Sequence, residues 1–362
     1  MLKHQSFIVV LWHDFTCYFK SLFKKFSKVF IMTKKIYKKD CYNKFFTVAP
    51  GVWGMKDVLV NMYMILNPFD GNWVLVDAGF KWSTSKIKKI AKRLFGEYAV
   101  PSSIILTHGH FDHVGALQKL VKEWSVPVFA HPYEIPYLTG KSSYPPPDPT
   151  VGGGLISLMS FAYPSSPINI SNFVHTLREN GRVPGLPEWR YIHTPGHAPG
   201  HISLFRETDN LLIAGDAFVT TKSESVIATI FQSKKISGPP KYFTYDWVLA
   251  RESVKNLATL EPEIVATGHG RPMQRSEFQN SLQQLSDHFY KYAVPLHGRY
   301  VNDPAITNAT GVIYTPPNNL NAKKIVVKVL AITALTAVAF LLLFNKHKKN
   351  VKDKNALAYE VW

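Results

Sequence analysis

The chain has 362 residues, 46% apolar and 13% aromatic, enough for one large domain or two small ones with a substantial core. Its two cysteines, Cys17 and Cys41, exclude a disulfide framework and a CxxC zinc signature. The formal charge is +17, but nine lysines against Asp14 and Asp40 put +7 in residues 1–40, and eight lysines against Asp353 and Glu360 put +6 in residues 320–362. That leaves +4 for the body, a near balance that argues against a nucleic-acid partner, while lysine-rich tails suit anionic membrane surfaces.

Residues 1–44 mix bulky apolar residues with lysines and lack the small-residue cleavage site of a signal peptide. Two readings stand: a basic amphipathic segment lying at a membrane interface, or an upstream extension of a chain whose translation starts at Met32. Next come two strands, 58–66 and 73–77, with Asp70-Gly71-Asn72 as the turn between them. A helix follows over 83–95, capped by Ser83 or Ser85, then a buried strand at 103–107 and a helix at 115–123. Further strands fall near 126–130, 189–193, 201–206, 211–215 and 263–267, with helices over 246–260 and 275–292. This alternation predicts an α/β layered domain over residues 45–300.

The stretch 132–188, with YPPPDP and GGG, breaks the rhythm and reads as an insertion, either a lid or binding loop or a decoration that serves packing. After a linker at 301–324, residues 329–344 hold sixteen positions without a charge. Extended back to Ile325, the run has the length of a transmembrane helix, so a single membrane anchor is expected at 325–345, followed by a basic tail at 346–362.

The chemistry concentrates in THGHFDHVG, residues 107–115, directly after the apolar run Ile104-Ile105-Leu106. Four proton- or metal-binding groups at the end of a hydrophobic segment cost desolvation unless something satisfies them. At an extended strand end His108 and His110 project from one side. The chain then turns at Phe111, and Asp112 and His113 point elsewhere, so this segment can serve two metal ions. Imidazole and carboxylate suit zinc, and also iron or manganese. Neither coordination sphere is complete within the segment. His197 in HTPGHAPGH, Asp216 in LLIAGDAF and His269 in EIVATGHGRP stand where later apolar strands begin or end, at the sheet edge where sites in α/β proteins gather.

With these residues in view the sequence resembles the metallo-β-lactamase-fold hydrolases, the superfamily that includes glyoxalase II and the lactone-cleaving enzymes. The hallmark HxHxDH stands as His108-Gly109-His110-Phe111-Asp112-His113, the later motifs match at His197, Asp216 and His269, and an early aspartate matches Asp77. The resemblance implies a four-layer αββα sandwich. It implies two divalent ions, zinc first, one held by His108, His110 and His197 and the other by Asp112, His113 and His269, with Asp216 bridging. Asp77 would orient the ligand loop by hydrogen bonds, and His201 would support the site without ligating. His131 and His193 read as structural.

The resemblance further implies hydrolysis of a small-molecule ester, thioester or lactone by a hydroxide held between the metals, with Asp112 orienting it or carrying its proton. Asp216 stands where the β-lactamases proper often place a cysteine, which points toward the glyoxalase II and lactonase branch. Residues 233–247, with lysines and aromatics, either line a pocket for an anionic acyl group or form a surface loop. The competing readings are a phosphodiesterase or nuclease of the same superfamily, a non-catalytic membrane-tethered scaffold, and an oxidative role with iron. Sparse cysteines and the absent cleavage site place the expected catalytic body on the cytoplasmic side of the membrane.

Overall fold

A computed structural model of the chain describes residues 45–317. The expected N-terminal segment 1–44, the membrane span 325–345 and the tail 346–362 lie outside the described residues. Among the described residues no helix is long and apolar enough to cross a membrane. The chain divides into two compact units, Met1–Phe46 and Thr47–Trp362, and nearly all of the described part belongs to the second.

Two mixed sheets carry the fold. The first has seven strands in sequential order: β1 (Phe45–Ala49), β2 (Val52–Asp57), β3 (Val60–Leu66), β4 (Trp73–Val76), β5 (Ser103–Ile105), β6 (Val128–Ala130) and β7 (Val174–Thr176). β2 to β4 pair antiparallel, whereas β4 to β7 run parallel. The second sheet is ordered β13 (Met273–Gln274), β12 (Ile264–Ala266), β11 (Leu211–Ile213), β10 (Ile202–Arg206), β9 (Leu186–His193), β8 (Arg182–Val183). Only its β11–β12 pair is parallel.

The apolar strands are buried because helices cover them. The helix Thr84–Phe95 turns Ile87, Ile90 and Ala91 inward, and Leu117–Trp124 does the same with Leu117, Leu120 and Val121. Behind the second sheet, Trp247, Val254, Phe278 and Leu282 of two further helices pack on Leu212 and Val265. Asp246 begins the first of these by accepting the Leu249 N–H at 2.9 Å. The helix expected over 275–292 is interrupted at His288 (φ −124°, ψ 39°) into Arg275–Asp287 and Phe289–Tyr292. The strand expected from 58 starts at Val60, because Val58 turns the β2–β3 hairpin with φ 54°.

Residues 132–188 hold short helical turns at Pro132–Glu134, Ile135–Leu138 and Leu155–Ala162, and then β7. The segment 301–324, expected as a linker, is a hairpin in its described part: β14 (Ile306–Asn308) pairs with β15 (Gly311–Tyr314). The hairpin is fastened to the body by Ala305 N–H to the Tyr245 carbonyl (3.1 Å) and Val312 N–H to Ser142 Oγ (3.1 Å).

The sheets are stitched together at the ends that carry the polar loops. Asn61 on β3 donates its backbone N–H to Gly268 O (2.7 Å) and its side-chain amide to Thr267 O and Gly270 O. Ile202 N–H, where β10 begins, reaches Thr107 O at 2.9 Å. The HxHxDH segment is clamped from its other side by Ala78 N–H to His113 O (2.6 Å) and Gly115 N–H to Gly79 O (2.7 Å). At Gly115 the chains approach so closely that a Cβ would lie 2.6 Å from the Phe80 carbonyl carbon. Since backbone cannot yield as a side-chain end can, Gly115→Ala should destabilise the protein by about 1–3 kcal/mol, read as a lower urea midpoint with an unchanged slope.

Candidate metal centre

Each motif residue follows a buried strand. Asp77 comes directly after β4, His108 follows β5, Asp216 follows β11, His269 follows β12, and His197 lies in the loop between β9 and β10. His110 is the extended residue before the one-turn helix Phe111–Val114, so the direction of the side chains changes there. All seven candidate ligands are buried. Their donor atoms form three groups that could each hold a metal ion: His108, His110 and His197; Asp112, His113 and His269; and His108, His113 and Asp216. Within each group the donor atoms lie within 4.8 Å of one another.

Asp216 joins the groups. Its Oδ2 stands 3.5 Å from His197 Nε2, 3.1 Å from His269 Nε2 and 3.7 Å from His113 Nε2. His110 Nδ1 and His197 Nε2 face each other at 3.0 Å. His108 Nε2, His113 Nε2 and Asp216 Oδ1 are buried without a hydrogen-bond partner. Orphaned lone pairs aimed into one small volume are what a cation would satisfy.

The opposite ring nitrogens are spoken for. Asp77, held at φ 62°, accepts the Thr107 N–H (2.8 Å), the Thr107 hydroxyl (2.7 Å) and His113 Nδ1–H (2.8 Å). Because the Thr107 hydroxyl donates to Asp77, it is left to accept from His108 Nδ1 at 3.1 Å. One carboxylate therefore sets the tautomer of two histidines and turns both Nε2 atoms toward the centre. His269 Nδ1 donates to Leu59 O at 2.9 Å, and His110 Nε2 meets the Tyr245 hydroxyl at 3.2 Å. His201 lies outside the three groups. Its Nε2 accepts the Asp216 backbone N–H at 2.8 Å and its Nδ1 faces Thr194 Oγ1 at 2.8 Å, so its lone pair is spent holding the bridging residue's backbone.

Electrostatics separates the two halves. Burial, reinforced by neighbouring imidazoles, holds His108 and His110 well below the usual histidine range. Burial takes His197 down to about 3 against the pull of Asp216, and it depresses His201 as well. On the other side burial opposes protonation of His113 and His269, but the carboxylates around them outweigh it and raise both. Burial raises Asp112; for Asp216 the surrounding imidazoles overcome burial and hold the carboxyl well below the carboxylate range.

Sequence reasoning did not single out Glu134, a fully buried carboxylate in the otherwise ordinary stretch HPYEIPY. Its Oε2 accepts the Gly109 N–H at 2.8 Å and its Oε1 accepts the Gly200 N–H at 2.7 Å. The Tyr144 hydroxyl donates to Oε2 and itself accepts from Gly109 N–H at 2.9 Å. Glu134 thus braces the loop of His108 and His110 against the loop of His197. Burial pushes its carboxyl up to about 7, against three donors that favour the charged form. Aromatics wall the site: Phe243, from the stretch 233–247 read as either pocket lining or surface loop, stacks on His110 at 4.4 Å, and Tyr144, from the YPPPDP stretch of the insertion, lies at 4.6 Å. His131 and His193 stack on each other at 3.9 Å, apart from the three groups.

A mixed α/β protein that gathers imidazoles and carboxylates in overlapping triads at its strand ends has the make-up of a metal-dependent hydrolase. A family model for the metallo-beta-lactamase superfamily matches residues 55–269, and the chain belongs to that superfamily. It is similar to the probable metallo-hydrolase YflN of Bacillus subtilis, 45% identical over 243 residues that span 67% of this chain and 92% of the relative. The probable metallo-hydrolase YybB of the same organism is 27% identical over 189 residues, 52% of this chain and 73% of its own. Among solved structures, BLEG-1 B3 metallo-beta-lactamase aligns at 25% identity over 68% of this chain and 96% of its own, with a TM-score of 0.45. TTHA1623 in a di-iron-bound form aligns at 26% identity over 62% and 93%, with a TM-score of 0.43.

Two expectations follow. In Glu134→Gln the amide must set its NH2 against either the Gly109 or the Gly200 N–H, donor against donor. Both Gln and Ala at 134 should therefore weaken metal binding on the order of 10–100-fold in chelator competition. A Gln variant that binds metal as the wild type does removes the brace. The second concerns metal-free protein. Six histidines (His108, His110, His131, His193, His197 and His201) are depressed below 6.5, so unfolded chains take protons that folded ones refuse. Their contribution is present above pH 6.5 and fades as pH falls through the folded values; the raised His113, His269, Asp112 and Glu134 act oppositely and are outnumbered. The urea midpoint of the metal-free protein should fall between pH 8 and pH 5.

Proposed function

We propose that this metallo-hydrolase of the metallo-beta-lactamase superfamily is a dinuclear enzyme that cleaves an ester, thioester or lactone. The observation that carries the reading is the position of Asp216 Oδ2, 3.5 Å from His197 of one triad and 3.1 Å from His269 of the other. In this reading His108, His110 and His197 hold one ion, Asp112, His113 and His269 hold the second, and Asp216 bridges. Imidazole and carboxylate ligands suit zinc, and also iron or manganese, and we take zinc at both positions. When bound, such a pair supplies a water activated at neutral pH and a Lewis acid for the carbonyl oxygen.

The chain's own residues do the rest. Asp77 and Leu59 O keep the imidazoles of His108, His113 and His269 turned inward. Asp112, beside His269 at 3.5 Å, is placed to orient the nucleophile or carry its proton. Phe243, Tyr144 and the ring of Phe111 exclude water from one side and favour an uncharged acyl group. The balanced body speaks against a phosphodiester substrate, and the intact triads speak against a scaffold that has lost its chemistry. We place the two sheets in a four-layer αββα sandwich, tethered by a span at 325–345 with the body on the cytoplasmic side.

Purified full-length protein should carry two metal ions per chain and turn over members of an ester, thioester and lactone panel faster than a chromogenic phosphodiester. His110→Ala should lose metal and reduce kcat/KM by more than the roughly 10–100-fold that a missing supporting contact costs. Metal-free protein, or hydrolysis that survives His110→Ala, sinks the reading.

A further inference from the structure

Several exposed apolar side chains sit on segments linked to the metal centre, while others, such as Phe69, Tyr98 and Leu296, lie elsewhere. The β2–β3 turn carries Val58, 45% exposed, and its next residue, Leu59, accepts the His269 Nδ1–H. That turn is tied to the segment of Trp82, 65% exposed, by Ser83 Oγ–H to Asp57 Oδ2 at 2.6 Å. Trp82 stacks on Phe80 at 4.9 Å, Phe80 lies 5.8 Å from Phe111, and Phe111 lies 5.5 Å from Tyr163, next to the exposed Phe161. The helical turns of that segment begin with Ile156 N–H on the Glu224 carbonyl at 3.1 Å. Two residues on is the helix Val226–Phe231, which leaves Ile227 (70%), Ile230 (51%) and Phe231 (69%) in the open. Lys56 Nζ then reaches Thr229 O at 3.1 Å and brings the circuit back to the β2–β3 hairpin. These contacts close on themselves. They link these exposed apolar side chains into a collar about segments of the metal centre, Leu59 and Phe111 among them.

What covers the collar is indicated by the chain that follows the body. The Pro316 carbonyl is held by Arg299 Nε–H at 2.7 Å, and the neighbouring Gly298 packs against Val151. Val151 shares its apolar cluster with Ile156 and Val226, so the described chain ends on the side of the collar. The apolar run of bilayer length, with Lys328 as its one charge, begins at Ile325, eight residues past 317, a reach of at most about 28 Å. Lys81, Lys222 and Lys235 stand exposed beside the apolar residues, placed for anionic headgroups.

We propose that the collar is a lipid-contacting surface that seats the mouth of the metal site on the bilayer, and that the substrate is an acyl ester or thioester carried in that bilayer. The proposal rests on the hydrolase and membrane readings above. Side chains such as Ile230 and Phe231 gain apolar contact in the acyl–headgroup zone, and Trp82 suits that zone through its amphipathic ring.

The test uses full-length protein, with Cys17→Ser and Cys41→Ser, in vesicles of phosphatidylcholine and phosphatidylglycerol. A bimane label on Ile230→Cys should be quenched by brominated lipids, while the same label on Tyr98→Cys, at a 92% exposed position outside the collar, should not. Ile230→Asp combined with Phe231→Asp should reduce the ratio of kcat/KM for a vesicle-borne long-chain thioester to that for a water-soluble short-chain one by on the order of tenfold or more. Equal quenching at both positions, or an unchanged ratio, overturns the proposal. So does a dimer that the double variant dissociates, since a second copy would then cover the collar. Failure to hydrolyse either thioester would count against the hydrolase reading, while the quenching comparison still decides the lipid contact.

Discussion

Asp77 is the point on which the site depends. Its carboxylate, buried after β4 in a left-handed backbone conformation, takes three hydrogen bonds from the ligand loop. Through Thr107 and His113 it decides which nitrogen of two imidazoles carries the proton. Were either proton to move to Nε2, a buried N–H would face the site where lone pairs are needed. Desolvation makes such an error expensive, because no water is at hand to satisfy the misplaced group.

The same logic runs through the rest of the centre. Each histidine of the three groups faces the centre with one nitrogen, and for His108, His110, His113 and His269 the other has a protein partner. His201 makes the contrast: both its nitrogens are engaged by protein, so it steadies Asp216 and belongs to none of the groups. Support then passes outward. Glu134 ties two loops through their backbone amides, and Asn61 ties the β3 strand to the loop of His269. Glycines sit where these loops come closest: a Cβ at Gly268 would press into Asp216 and His113, and one at Gly115 into the Phe80–Lys81 backbone. The precision of the centre comes from two sheets whose loops are cross-linked by buried hydrogen bonds.

Outside this polar kernel the character reverses. His110 is held between Phe243 and Tyr144, and ring contacts continue from Phe243 through Phe111 and Phe80 to the exposed Trp82. Aromatic rings pack against the imidazoles, and apolar surface is offered at Trp82. Under the proposal made above, an acyl substrate would meet both in turn, first at the rim and then with its carbonyl at the centre.

The candidate ligand residues stood out in the sequence because chemistry this costly to bury shows in composition: three histidines and an aspartate within six positions after Ile104-Ile105-Leu106. The strands and main helices were legible for the related reason that apolar periodicity reports which face is buried. Glu134 could not be read this way, since one glutamate in HPYEIPY looks like any surface glutamate until folding puts the amides of Gly109 and Gly200, ninety-one positions apart, against its two oxygens. That His201 supports the site without ligating was expected from the resemblance, but which groups use its nitrogens, Thr194 and the Asp216 amide, came only with the fold. Local sequence states which groups are present and which elements carry them. Which lone pair faces a cation, and which is consumed by the protein, depends on contacts between residues far apart in the chain, and only the tertiary structure brings those together.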